Sequence, residues 1–132
     1  MDWVKIGGRV YDVHITELKE SFNILYSDNT GRTLGVGAPL VLDPYGTFFG
    51  HTVTFQAKQG KQSEFEELYN MLSYPRIEGI QVEIVHGQST ISYSAYVSSG
   101  NRDLIRIDDK NSKVCWGSFQ ANFIAIEAQV VP

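Results

Sequence analysis

Apolar and polar side chains alternate along most of this chain, in short runs that Gly, Asp and Asn interrupt. A two-residue period predicts β-strands with one core-facing side and one solvent-facing side. Gly7-Gly8 separates the apolar runs 4–6 and 10–15, which predicts a tight N-terminal hairpin. Ser99-Gly100-Asn101 predicts another turn. The remaining runs with this pattern are 48–58, 80–85, 91–97, 104–107 and 114–131.

One segment has helical spacing instead. Four apolar residues recur at i, i+3, i+4 and i+7, namely Phe65, Leu68, Tyr69 and Leu72. This spacing places them on one face of a helix over about residues 63–73. Ser63 and Glu66 match the capping-box pattern at its N-terminus. Pro75 ends the helix because proline cannot donate the next backbone hydrogen bond.

The order of strands, one helix and further strands indicates a mainly β protein. We expect a single domain over residues 1–132, either a β-sandwich or a half-open barrel, with the helix on its flank. Residues 114–131 are apolar on both faces, which favours a central strand or one covered on its second side. Residues 19–48 are rich in Gly, Asp, Asn, Ser and Pro and are expected to form a long inter-strand loop or extended arm. The alternative for this segment is two short extra strands.

Composition and charge narrow the class of protein. With 132 residues, 42% of them hydrophobic, the chain suits one folded domain and is too apolar to be disordered. Its net charge of −4 argues against nucleic-acid binding, which needs cations to neutralise phosphates. Its single cysteine, Cys115, excludes an intrachain disulfide. No apolar run reaches the ~18 residues of a membrane span and no secretory signal is visible, so we expect a soluble cytosolic product without membrane contact.

The sequence offers no catalytic or cofactor signature. His14, His51 and His86 stand far apart in separate runs, without the spacing of a metal site, so each is interpreted as an isolated histidine. The glycine-rich run 31–37 lacks the Gly-Lys-Ser/Thr ending of a phosphate-binding loop, and no serine lies in a G-x-S-x-G motif. We therefore predict no enzyme activity, no catalytic residue, no metal and no cofactor.

Three motifs give the chain a family resemblance. They are the opening run 3–11, the stretch Thr30-Gly31-Arg32-Thr33-x-Gly35 followed by Tyr45-Gly46-Thr47, and the helix over 65–75 between strand hairpins. Over about residues 3–128 the chain resembles the small tail-associated structural proteins of tailed bacteriophages and prophages, found in the tail tube, distal tail or baseplate. The resemblance implies a tail-tube-like β-sandwich with one flanking helix and a long inter-strand loop, and assembly into rings, commonly six-fold.

As such a subunit, the chain would have itself as its main partner, in a ring expected to be hexameric, together with other tail proteins. The resemblance places it in the tail of the virion after synthesis in the cytoplasm of a bacterial host. Its acidic balance suits a channel that DNA crosses as passing cargo, without specific nucleic-acid binding, because like charges raise the free energy of contact.

The interface candidates lie in the 19–48 segment. Arg32, in a Gly-Arg-Thr turn with Thr33, is expected to pair bidentately with a carboxylate across a subunit boundary. The apolar residues Phe22, Leu25 and Tyr26 are expected to become ordered on a neighbouring subunit.

The alternative function is a stand-alone β-sandwich module that binds carbohydrate or peptide through exposed aromatic residues. Its candidates are Tyr93 and Tyr96, which the alternation places on opposite faces of one strand, and Trp116. Packing within the core or between subunits explains the same residues and is the preferred interpretation.

Overall fold

In the computed structural model, which describes residues 3–28, 30–32 and 35–132, the chain forms one large antiparallel sheet, one helix and a small two-stranded sheet. The mainly β class predicted from the alternation is therefore confirmed. In chain order the elements are β1 (Val4–Ile6), β2 (His14–Tyr26), β3 (Gly31–Arg32), β4 (Leu40–Val41), β5 (Pro44–Gln56), α1 (Gln62–Ser73), β6 (Ile80–His86), β7 (Ser89–Asp108) and β8 (Lys113–Ala125). The large sheet has the strand order β1-β6-β7-β8-β5-β2, and β3 pairs with β4.

The hydrophobic core lies between one face of the large sheet and α1. Alternate residues in the central parts of the strands point into it, as the two-residue period predicts. Phe119 on β8 meets the rings of Phe65 and Tyr69 on α1, with ring centroids 6.4 and 5.0 Å apart. The buried core residues are Val4, Ile6, Val53, Phe55, Phe65, Leu68, Leu72, Ile80, Val82, Ile84, Tyr93, Ala95, Phe119, Ala121, Phe123 and Ala125.

The predicted helix is confirmed as α1, and its apolar stripe faces the core. The predicted capping box is wrong, because Lys61 is the N-cap and no side chain caps the helix. The Glu66 carboxylate, which a capping box would use, accepts a hydrogen bond from Nη1 of Arg102 at 2.7 Å. A long-range ion pair thus replaces the local contact. At the other end Tyr74 is extended, as the following Pro75 favours.

The predicted N-terminal hairpin is wrong in its strand pairing. The turn itself forms: Gly7 and Gly8 have φ angles of 61° and 79°, and Ile6 and Arg9 exchange backbone hydrogen bonds. However, β1 pairs with β6 at one edge of the sheet, whereas β2 pairs with β5 at the other edge. Residues 10–13 make the crossing between the edges, and two of their apolar side chains pack against the core. Burial of these two side chains in the crossing segment is therefore favoured over pairing of β1 with the strand that follows it.

Residues 19–48 form strands at both ends rather than the long loop expected. β2 pairs with β5 along its length, as far as Tyr26 and Pro44. The β5–β8 ladder stops at Gly50 and Ile124. Beyond that point residues 21–26 and 44–49 form a two-stranded projection, the β2–β5 ribbon, whose tip contains β3 and β4 (described residues 27–28, 30–32 and 35–43). The apolar–polar pattern does not predict these strands. Nearly all of β2 is exposed, so it has no core-facing side with a run of apolar residues at every second position.

A second projection leaves the opposite end of the sheet. The β5–β8 ladder ends there at Gln56 and Ser118, and residues 104–108 and 113–116 continue as the β7–β8 ribbon. β7 runs through the turn predicted at 99–101, so that prediction is wrong. Gly100 instead permits close packing, since a Cβ there would lie 3.1 Å from the Phe119 ring.

The described residues contain no second sheet large enough for a sandwich, because β3 and β4 have two residues each. The large sheet is instead strongly curved. Glu20 on β2 and His86 on β6 are four positions apart in strand order, yet their side chains lie 2.7 Å apart. A flat sheet would separate these strands by about 19 Å, at ~4.8 Å per strand. β8, from the run that is apolar on both faces, lies centrally between β7 and β5 as expected.

Candidate interaction surface

The β2–β5 ribbon and its tip expose many apolar side chains. Phe22 is 68% exposed, Tyr45 64% and Leu42 56%. Burying one such side chain contributes about 1.5–3 kcal/mol, so a surface that carries several is a candidate for binding another protein chain. The other large apolar residues exposed here are Ile24, Leu25, Tyr26, Val36, Leu40 and Val41.

Three predicted interface residues lie on this ribbon. Phe22 pairs with Phe49 and lies on the core-side face of the strand, whereas Leu25 lies on the opposite face. Tyr26 follows a register shift and pairs with Pro44. The structure therefore brings Phe22, Leu25 and Tyr26 onto one projecting strand but divides them between its two faces.

Arg32 lies apart from these residues, in β3 at the tip. It is exposed, and its Nη1 donates a hydrogen bond to the backbone carbonyl of Ala38 at 3.3 Å. The tip is closed by the backbone N–H of Asp43, which donates to Oγ1 of Thr30 at 2.8 Å. The guanidinium is thus accessible to a neighbouring chain. Thr33, the remaining predicted interface residue, lies outside the described residues.

The outer edge of β2 has no partner strand in the part of the chain that the structure describes. Exposed edges are usually protected by charged residues or proline. Glu17, Lys19 and Glu20 lie near the start of β2, but residues 21–26 are uncharged. An uncharged, apolar edge with unpaired backbone groups is suited to pairing with a strand of another chain.

The β7–β8 ribbon is a second candidate surface, which the sequence analysis missed. Its exposed apolar residues are Leu104, Ile105, Ile107 and Val114. The adjacent apolar residues at 104 and 105 were a usable signal, because neighbours on a strand face opposite sides. Along its edges, the ribbon has no ladder with β5 or β6, because the β5–β8 and β6–β7 ladders both end before the ribbon begins.

A polar cluster joins four strands at the base of the β2–β5 ribbon. Nε2 of His51 lies 2.9 Å from Oε2 of Glu20 and 3.2 Å from the carbonyl oxygen of Val85. Nδ1 of His51 lies 2.5 Å from the hydroxyl of Tyr93, and Nδ1 of His86 lies 2.7 Å from Oε2 of Glu20. We name Glu20, His51, His86 and Tyr93 the Glu20 cluster. The interpretation of His51 and His86 as isolated residues is wrong, because the curvature of the sheet brings them together.

Burial and hydrogen bonding set the charges of this cluster. His51 is 2% exposed, and burial lowers the pKa of its imidazole although Glu20 opposes the shift. Burial raises the pKa of Tyr93, so its hydroxyl keeps its proton. Burial alone would raise the pKa of Glu20, but the hydrogen bonds from His86 and His51 outweigh it and the pKa is lowered. At neutral pH the cluster therefore contains a Glu20 carboxylate, a neutral His51 and a neutral Tyr93.

Other kinds of site have less support. Within the described ranges, no group of three His, Cys, Asp or Glu side chains is arranged to hold a metal ion. α1 is neither long enough nor apolar enough to cross a membrane, and the described residues contain no other helix. An open groove of about 300 Å³ lies between the end of α1 and β7, lined in part by Tyr74, Arg76 and Tyr96. The ribbons and the Glu20 cluster are therefore the features that call for a functional explanation.

Comparison with known protein families, with curated proteins and with solved structures finds no match for this chain. The resemblance to phage tail proteins therefore rests on the sequence motifs in residues 3–128.

Proposed function

We propose that this chain is a structural subunit of a phage tail, in the tube, the distal tail or the baseplate, and that it assembles into rings. The observation that carries the proposal is the pair of apolar ribbons that leave opposite ends of one sheet. Within the described residues, the C-terminal segment 128–130 lies along part of β5, but the apolar side chains named above stay exposed, and neighbouring chains would cover them. In a ring, each subunit contacts its two neighbours through two different surfaces, which together form a closed heterologous interface.

Backbone pairing supports self-association. Among the described residues, β2 has a free outer edge that is uncharged over residues 21–26, and β7 has a free edge beyond Ala95, where its pairing with β6 ends. Two free edges on different strands allow each copy to pair with one neighbour on each side. We also propose that the curved sheet is a half-open barrel, and that strands of neighbouring subunits pair with its free edges.

The distribution of apolar side chains suits a ribbon that is covered on both sides. Phe22 lies on one face and Leu25 on the other, so a partner on one side alone would leave part of the apolar surface in water. We propose that Arg32, at the tip, contacts the neighbour with its guanidinium bound to a carboxylate, and that Thr33 is a further contact residue.

The proposed ring has six subunits and lines or caps the DNA channel of the tail. Its partners are further copies of this chain and other tail proteins, and its location is the virion tail after synthesis in the bacterial host cytoplasm. The net charge of −4 per chain disfavours retention of DNA, which passes as cargo without specific binding.

Solution mass measured at increasing protein concentration tests this proposal. We expect ring species, and for a hexamer six times the 14.8 kDa chain mass. Leu42→Asp places a charge on the apolar ribbon tip and should shift the population towards monomer. Ile77→Asp is the matched control, since Ile77 is fully exposed in the loop after α1, and it should leave the mass unchanged. A chain that is monomeric at every concentration, or that responds equally to both variants, contradicts the proposal.

The carbohydrate- or peptide-binding alternative gains no specific support from the geometry. Tyr93 is buried in the core, and the Arg102 guanidinium covers the Trp116 ring at 3.9 Å. Tyr96 alone of the three candidates is exposed and uncovered, which falls short of an aromatic platform. Quenching of tryptophan fluorescence by an added glycan would favour this alternative.

A further inference from the structure

The Glu20 cluster lies where the β2–β5 ribbon leaves the sheet. Glu20 and His51 are cross-strand partners, and the β5–β8 ladder ends at the preceding residue of β5. Beyond it, on that side, β5 contacts the C-terminal segment through an isolated bridge between Thr47 and Val130 and through the Phe49 backbone N–H, which donates to the side chain of Gln129. His86, at the end of β6, contacts the Glu20 carboxylate from across the curved sheet. The cluster therefore attaches the base of the ribbon to a strand four positions away.

Hydrogen-bond chemistry decides which atoms of the cluster carry hydrogen. Nε2 of His51 faces two acceptors, the Glu20 carboxylate and the Val85 carbonyl, so it carries the hydrogen and donates it. Nδ1 of the neutral ring then accepts the hydroxyl hydrogen of Tyr93. Nδ1 of His86 donates to the same Glu20 oxygen. The polar part of the attachment thus depends on one carboxylate that accepts from two histidines, beside an edge-to-face contact between the Phe49 and His86 rings, whose centroids are 4.9 Å apart.

We propose that the Glu20 cluster is an acid-sensitive attachment, which holds the β2–β5 ribbon against β6 at neutral pH and releases it when Glu20 is protonated. A protonated carboxyl no longer carries the charge to which both imidazoles donate. The buried His51, whose pKa burial lowers, then gains a proton in acid with no carboxylate beside it to offset the charge. The site loses the negative charge of Glu20 and gains a buried positive charge on His51, which favours separation of β2 from β6.

The groups that titrate in this response lie within the Glu20 cluster. Glu17 and Lys19, the nearest charged residues along β2, lie on the opposite face of that strand, where they pair with each other at 3.1 Å. β6 contributes His86 and the backbone carbonyl of Val85 to the cluster, and β7 contributes the neutral hydroxyl of Tyr93. The electrostatic influences on His51 come from Glu20 and His86.

The direction of the pH response follows from linkage. The pKa values of Glu20 and His51 are both lowered in the folded chain. A group with a lowered folded-state pKa stabilises the fold above its unfolded pKa and loses that contribution as the pH falls through the folded value. The contribution of His51 therefore begins to decline below its ordinary value of 6.5. Release of the ribbon is expected below the ordinary glutamate value of 4.5.

Hydrogen–deuterium exchange of the wild-type chain, expressed as protection factors, tests the proposal. Between about pH 7 and about pH 3, protection of the β2–β5 ribbon should fall about tenfold or more, the effect of losing hydrogen bonds to a charged group. The β7–β8 ribbon shares no group with the cluster and is the internal control. Hydrogen bonds from Asn111 lower the pKa of Asp108 at its turn, so its protection should fall less than that of the β2–β5 ribbon. Equal losses in both ribbons, or no loss in the β2–β5 ribbon, overturn the proposal.

A pair of variants on one strand separates charge from structure. Glu20→Gln keeps an acceptor oxygen but cannot titrate, so its ribbon should exchange rapidly already at neutral pH and show no acid response. Glu17→Gln removes a carboxylate from the opposite face of β2 and should keep the wild-type response. A wild-type response in Glu20→Gln overturns the proposal.

If Glu20→Gln does not fold, the histidine NMR signals of the wild type decide. The signals of His51 should change at the same pH as ribbon opening, and a change at a different pH contradicts the proposal. The inference concerns contacts within one chain. Its failure would therefore leave ring assembly untouched, and a failure of ring assembly would leave it standing.

Discussion

Replacing Phe119 by alanine should greatly weaken the fold, whereas the same replacement at Phe22 should not. Phe119 is 3% exposed and contacts the rings of Phe55, Phe65 and Tyr69, so it joins α1 to the sheet. Phe22 is 68% exposed on the β2–β5 ribbon. Both variants delete the same atoms. The difference between their free energies of unfolding therefore measures the effect of burying the ring within one chain.

The expected magnitudes are well separated. Truncating a buried phenylalanine costs about 3–5 kcal/mol, from the lost transfer free energy and the cavity left behind. Most exposed substitutions change the free energy of unfolding by no more than about 0.5 kcal/mol. Because a domain of this size has a total stability of about 5–15 kcal/mol, Phe119→Ala should remove a large share of it.

Urea unfolding followed by tryptophan fluorescence measures both variants, since Trp116 packs against the core. The measurement is made at low protein concentration, so that dissociation of assemblies does not contribute. Phe22→Ala should keep the wild-type midpoint while reducing assembly at high concentration. Comparable destabilisation by both variants would refute the distinction between core and ribbon, and a stable Phe119→Ala would refute the role of Phe119 in the core.

Three further substitutions test single contacts. Arg32→Ala should weaken assembly in sedimentation experiments and leave thermal unfolding of the monomer nearly unchanged; an equal loss of both would show that Arg32 acts within the fold. Arg102 lies 3.9 Å from two aromatic rings, so Arg102→Ala should cost about 1–3 kcal/mol in urea unfolding. Arg102→Lys should recover little, because ammonium does not stack as guanidinium does, and full recovery would argue against stacking. Tyr93→Phe removes the donor to buried His51 and should cost about 1–3 kcal/mol, whereas an unchanged midpoint would contradict that hydrogen bond.

The sequence predicted best those elements that have one face on the core. The stripe of α1 and the alternation of β6 were recognisable because burial selects apolar side chains on one side only. β2 carries no such mark, since it is exposed on nearly its whole length. The pattern of residues 19–48 therefore predicts a loop, although the apolar residues within 22–26 belong to a strand and are exposed.

Contacts between distant strands were beyond the reach of local patterns. The turn at Gly7-Gly8 was predictable from its glycines, but the choice of β6 as the partner of β1 depends on the whole sheet. The same holds for His51 and His86, whose shared contact with Glu20 exists because the sheet curves. A two-residue period reveals the faces of a strand but not its neighbours, nor the curvature that brings side chains together.

Negative-stain electron microscopy of the purified chain tests the central claim most directly, because it displays the assembly itself. Our account predicts closed rings, or tubes of stacked rings, with an open central channel, and their loss in Leu42→Asp but not in Ile77→Asp. A field of separate small particles at every protein concentration would contradict the account.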